Sequence, residues 1–196
     1  MFHLLHYGLM PRVVQDQSHK FETDELFRKL SEDTEIRVTS YRDKSPEERS
    51  QRFINDCKEG HTCVAFLNTG VNLMLQFYPP SGPTDKVTKE YVDFDKDPSK
   101  VVLKSRFIMN GVCVQLKGWI DLKRLDGVAR LEFDYDLADQ EDRIVRAKLR
   151  EYEERQMKNE FSIAGAQLMP IQSNQLSSST GPEGSRNHHP HRYHPY

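Results

Sequence analysis

Between Phe107 and Asp134 the sequence FIMNGVCVQLKGWIDLKRLDGVARLEFD alternates apolar and polar side chains with a period of two. Val112, Val114, Leu116, Ile120 and Leu122 share one parity, and Cys113, Gln115, Lys117, Trp119 and Asp121 share the other. Successive side chains of an extended chain leave opposite faces, so the pattern predicts a half-buried strand. Asn110-Gly111 precedes the run and Asp126-Gly127 follows it. Both dipeptides tolerate the positive φ angles of a type I′ hairpin turn. Beyond the second, Ala129, Leu131 and Phe133 alternate with Arg130, Glu132 and Asp134. Two successive hairpins predict a three-stranded antiparallel meander whose first strand is Val101 to Met109.

A chain of 196 residues accommodates one domain of common size with tails. Its hydrophobic fraction of 36% is low, but the deficit is concentrated after about residue 150, so the earlier part can bury a core. A net charge of −2 provides no global attraction for nucleic acid or an anionic membrane. Cys57, Cys63 and Cys113 are odd in number and lack metal-type spacing, which predicts reduced thiols in the cytosol or nucleus. The start, MFHLLHYGLM, lacks the basic region of a signal peptide, and no apolar run has the length of a membrane span. The expectation is a soluble intracellular protein.

Along the chain, residues 1–9 read as an extension, and a domain begins at Met10-Pro11-Arg12-Val13-Val14. A first helix is expected to start near Thr23 or Asp24, with Leu26, Phe27 and Leu30 on one face. Glu35 to Thr39 alternates as a short strand. Ser45-Pro46-Glu47-Glu48 has the capping-box pattern with proline at the first helical position, and Gly60 is placed to end that helix. Cys63 to Leu67 predicts a strand. After Asn68-Thr69-Gly70, Val71, Leu73, Leu75 and Phe77 alternate with Asn72, Met74, Gln76 and Tyr78. Pro79 to Lys89 is a proline-rich loop, and Tyr91 to Phe94 a short strand or turn. A charged helix is expected from Asp136 to about Phe161, and a disordered Ser/His/Pro-rich tail from 164 to 196.

No phosphate-cradling glycine loop, serine elbow or zinc-protease helix is present in the sequence, so nothing in it calls for an enzyme. The tail histidines His188, His189, His191 and His194 form a tract that binds metals adventitiously at most. His61-x-Cys63 supplies two ligands where a structural zinc site usually needs four. Cys57 and Cys113 fall at packing positions, and Glu132, Asp134 and Asp136 suit a strand running into a helix N-terminus. The polar face of the Asn72 strand is more distinctive. Asn72 and Gln76 project to one side about 13 Å apart, from a rise near 3.3 Å per residue. With Gly70 at one end of that strand, and Met109 and Asn110 at a hairpin tip, they describe a surface for hydrogen bonding.

Several blocks resemble the core-binding factor beta subunit family. They are Met10-Pro-Arg-Val-Val, Lys20-Phe21-Glu22, Phe27-Arg28-Lys29-Leu30-Ser31, Glu47-Glu48-Arg49, Thr69 to Phe77, Glu90-Tyr91-Val92-Asp93 and, above all, NGVCVQLKGWIDLKRLDG from Asn110 to Gly127. The resemblance is colinear from Met10 to about Arg150. It implies an α/β (α+β) fold: a partly open, curled antiparallel β-barrel flanked by short helices, spanning residues 10–150. Residues 151–163 then extend the charged helix.

The resemblance further implies a non-DNA-binding subunit that heterodimerises with a Runt-domain transcription factor and raises its DNA affinity. It implies no catalytic residues, no cofactor and no metal. Carried over residue by residue, the partner-binding positions are Arg12, Val13, Gly70, Asn72, Gln76, Met109 and Asn110. Met109 stands where vertebrate members carry leucine, a nearly volume-conserving exchange. The Pro79–Lys89 loop departs from the family, and residues 1–9 and the tail are unmatched. Lacking a basic localisation cluster, the chain is expected in cytoplasm and nucleus, entering the latter with its partner. The competing reading is a barrel that binds single-stranded nucleic acid, for which the outward face supplies one aromatic, Trp119, and no cluster of positive charge.

Overall fold

A computed structural model describes residues 11–79 and 87–167. The extension before Met10, the centre of the Pro79–Lys89 loop and the tail from residue 168 lie outside these residues. Two compact units divide the chain, the first ending at Glu154 and the second beginning at Arg155. The first contains seven strands: β1 (Thr34–Val38), β2 (His61–Phe66), β3 (Asn72–Gln76), β4 (Val92–Asp97), β5 (Lys100–Met109), β6 (Val112–Asp121) and β7 (Asp126–Phe133). The described helices are α1 (Gln17–Thr23), α2 (Glu25–Leu30), α3 (Pro46–Glu59) and α4 (Tyr135–Gln167).

The strands form one sheet in the order β3-β2-β1-β7-β6-β5-β4, antiparallel throughout. The meander is as its alternation predicts: Met109 pairs with Val112 across the first turn, and Leu116 pairs with Leu131 in the second ladder. Phe27, Phe53, Phe66, Phe77, Ile36, Leu75, Leu116, Ile120 and Leu131 are fully buried inside the curl. Each such side chain contributes about 1.5–3 kcal/mol by leaving water, before the entropy of ordering it. The curl brings β3, one edge of the sheet, back toward β5. Buried Ser105 donates its hydroxyl to the Gln76 carbonyl at 2.8 Å and accepts from the Gln76 N–H at 3.3 Å. That single side chain stands where a closed barrel would have a backbone ladder. The result is an antiparallel half-barrel with helices on its flanks.

Three local expectations need correction. Asp126-Gly127 is not a turn; both residues lie in β7, and Gly127 pairs with Ile120. The turn is Leu122 to Leu125, where the Asp121 carboxylate accepts the N–H groups of Lys123 and Arg124 and Leu125 takes φ +59°. Gly127 serves packing instead: a Cβ there would sit 1.8 Å from the Trp119 carbonyl oxygen. Asp24 does cap a helix, α2, but α1 precedes it, capped by the Asp16 side chain on the His19 N–H at 3.0 Å. The charged helix runs from Tyr135 to Gln167, past its expected end. Other signals hold as read: Ser45 accepts from the Glu48 N–H, Pro46 opens α3, and Gly60 ends it at φ +95°.

Candidate functional site

Backbone parity decides what β3 offers. The Phe77 N–H donates to the Gly60 carbonyl, and the Val71 carbonyl accepts from Phe66, so odd-numbered residues turn their peptide groups toward β2. Asn72, Met74 and Gln76 therefore aim theirs at the open side of the sheet. Gln76 uses its pair on Ser105, and those of Asn72 and Met74 lie at an edge of the sheet that is unpaired among the described residues. The side chains of all three are exposed, Met74 by 67%, while Leu75 and Phe77 are buried behind them. At the head of the strand Gly70 takes φ +70° with nothing within 4 Å of where a Cβ would be. Its glycine meets a backbone requirement and leaves that side open to a neighbour.

The hairpin tip between β5 and β6 is the second part. Asn110 and Gly111 take φ +49° and +80°, the two positive values of a type I′ turn. The N-terminal segment and α1 hold this tip from below. Val14 donates its N–H to the Gly111 carbonyl at 2.8 Å, and Lys20 Nζ donates to the Asn110 carbonyl at 2.8 Å. Buried Gln17 accepts the Cys113 N–H at 2.9 Å and donates to Asp142 at 3.3 Å. With both turn carbonyls engaged, the exposed Asn110 amide is held outward on a fixed base.

The seven expected contact residues thus fall into two groups. Gly70, Asn72 and Gln76 lie along β3, while Arg12, Val13, Met109 and Asn110 gather at the hairpin tip. Five antiparallel pairings separate β3 from β5 (β3–β2, β2–β1, β1–β7, β7–β6, β6–β5), so the two strands run in opposite senses. From the Gln76–Ser105 contact, β3 traced back toward Gly70 follows β5 forward toward Asn110, and the groups flank one seam. Arg12 reaches Glu141 on α4 at 3.1 Å. Val13 is buried in a cluster with Cys113, Leu137 and Ala138, so its side chain packs inward. Sequence reasoning passed over Met74 as a site residue. Its parity with Asn72 and Gln76 was the available signal, and its exposure places it mid-edge.

Residues 10–167 match the family described as Core binding factor beta subunit. The chain belongs to that family. It is 53% identical over 146 residues to Protein big brother of Drosophila melanogaster and 47% identical over 146 residues to Protein brother of the same organism. Each match covers 74% of this chain and 68% of the relative.

The acidic residues at the end of β7 in this core binding factor beta chain have structural partners. Asp134 accepts two bonds from Arg106, at 2.6 and 2.7 Å, and caps α4 through the Leu137 N–H. Burial raises the Asp134 pKa, but the Arg106 bonds and the Leu137 N–H outweigh it and hold the carboxyl below its ordinary value. Glu132 lies between Lys117 and Arg130. Burial pushes the Cys57 thiol well up and that of Cys113 to about 12, as suits packing thiols.

Proposed function

We propose that this chain is the non-DNA-binding partner of a Runt-domain transcription factor and raises that partner's affinity for DNA. The observation carrying this reading is the edge of β3, unpaired among the described residues, where neutral, exposed Asn72, Met74 and Gln76 are flanked by Gly70 and Asn110. Neutral amides and free peptide groups recognise another backbone at a smaller desolvation cost than charges would. Family membership supports a partner of that class. A subunit that binds the DNA-bound form of its partner more tightly must, by linkage, raise that form's DNA affinity by the same factor. Typical couplings of about 1–3 kcal/mol give roughly 5- to 150-fold. No phosphate contact is required, which suits a net charge of −2. Nuclear entry in company with the partner completes the proposal.

The competing single-strand-binding reading needs free aromatic faces beside free cations. Trp119 instead lies under Lys100 Nζ, 4.0 Å from the ring centroid, and Lys117 is paired with Glu132. The deciding experiment is a gel-shift titration of a Runt domain on its cognate duplex. A slower complex of tighter apparent affinity, with no shift from this chain alone, is expected. A shift by this chain alone on single-stranded oligonucleotide would transfer the assignment.

A further inference from the structure

We propose that Asp56, Glu59 and His61 form a binding site for a zinc-class divalent cation at the corner between α3 and β2. Asp56 and Glu59 are three apart and share a face of the last helical turn. Gly60, left-handed at φ +95°, gives its N–H to the carbonyls of Asp56 and Cys57 and reverses the chain, so that His61 opens β2 beside both carboxylates. The corner is fixed from outside as well: the Tyr78 hydroxyl donates to the Glu59 carbonyl, and its ring fills the space over Gly60. One donor atom from each residue lies within 4.8 Å of the other two. A tetrahedral ion about 2.0–2.2 Å from each ligand would separate them by about 3.3–3.6 Å, so side-chain rotation of roughly 1 Å closes the set.

A second observation comes from the buried acids. Asp56, Asp134 and Glu141 are the buried carboxylates of the described residues. Asp134 is paired with Arg106 and Glu141 with Arg12. Asp56, 92% buried by its relative exposure of 8%, has no ion pair with a lysine or arginine among the described residues; its partner is the neutral Tyr41 hydroxyl at 3.0 Å. A buried carboxylate ordinarily requires a countercharge. Here it points into a cluster completed by a second carboxylate and an imidazole, while the tyrosine orients it as an outer-shell partner orients a ligand. The imidazole selects a transition-series cation over magnesium or calcium, which take oxygen ligands.

The test is titration of the full-length protein carrying His188→Ala, His189→Ala, His191→Ala and His194→Ala, which removes the tail tract as a competing binder. Zinc is expected to bind one site and to raise the melting temperature, because a ligand joining α3 to β2 favours the folded state. Adding His61→Ala, or Glu59→Gln, is expected to weaken zinc binding by about tenfold or more and to abolish the thermal shift. Both side chains are exposed, so the metal-free melting temperature should hold and any loss belongs to the site. Equal zinc affinity with and without His61, no zinc-dependent shift in the parent, or an equal shift with magnesium would each overturn the proposal.

Discussion

Ser105 and Arg106 are neighbours on β5, yet they join it to the rest of the fold in very different ways. Arg106 faces outward and grips Asp134 with two charge-assisted bonds, tying the meander to the start of α4. Ser105 faces inward and holds β3 with one neutral hydroxyl. On the first side the Asp134 carboxylate is matched by Arg106 and the Leu137 N–H. On the second, the strand edge is unpaired among the described residues, and its exposed side chains are two amides and a methionine. Charge closes the part that must not open, and the part with something to offer another protein is closed lightly.

The largest expected effect attacks the clamped side. Asp134→Ala leaves Arg106 without its countercharge and α4 without its cap, and should cost about 3–5 kcal/mol in urea unfolding. Replacing both, as Arg106→Met with Asp134→Leu, should recover most of that loss. Because the folded Asp134 pKa is depressed, its contribution is present above the ordinary carboxylate value of about 3.9 and lost as the pH falls below it through the folded value. Urea curves of the native chain should therefore weaken in that acid window, and those of Asp134→Ala should lack this component. Retained stability in Asp134→Ala at neutral pH would break the contrast.

A single methyl group probes the same contrast. Gly127→Ala drives a Cβ into the Trp119 carbonyl and should destabilise by about 1–3 kcal/mol or more. Gly70→Ala meets open space, so only its positive φ opposes it, at about 1 kcal/mol. Ser105→Ala strands the Gln76 N–H and carbonyl and should cost about 1–2 kcal/mol, with faster amide exchange along β3 and not along β6. Asn110→Gly keeps the turn geometry while removing the amide. It should weaken Runt-domain binding by more than about 1 kcal/mol in calorimetry with the melting temperature held. Smallest is Lys20→Met, which frees the Asn110 carbonyl and should weaken binding by about 0.5 kcal/mol. Unchanged binding in both would remove the hairpin tip from the interface.

The meander was legible because alternation and Asn110-Gly111 are local signals that the tertiary structure reinforces. The same reasoning misread Asp126-Gly127, since a glycine required for close approach looks in sequence like one required for a turn. Helix α1 escaped because seven mostly polar residues carry too little periodicity, and its stability comes from Asp16 and from Gln17 reaching β6. At the candidate site, side-chain parity exposed Asn72 and Gln76. The unpaired peptide groups beside them depend on which neighbour β3 has, a long-range fact. The carboxylates near His61 show the same limit: sequence spacing suggested Cys63 as its companion, whereas the left-handed turn at Gly60 supplies Asp56 and Glu59.

The lysine resting on Trp119 has a practical consequence. This is the sole tryptophan of the chain, and it sits in β6 between Val102 and Val128 of the neighbouring strands. It lies seven residue steps beyond Val112 at the hairpin, about 23 Å along an extended strand. Its emission is therefore expected to report the far end of β6, beside the Leu122–Leu125 turn, and the loss of its ammonium neighbour, four strands away from the β3 edge. The protein has its own optical separator: a partner-binding variant that leaves the intrinsic spectrum untouched has changed the surface, and one that shifts the spectrum has changed the sheet.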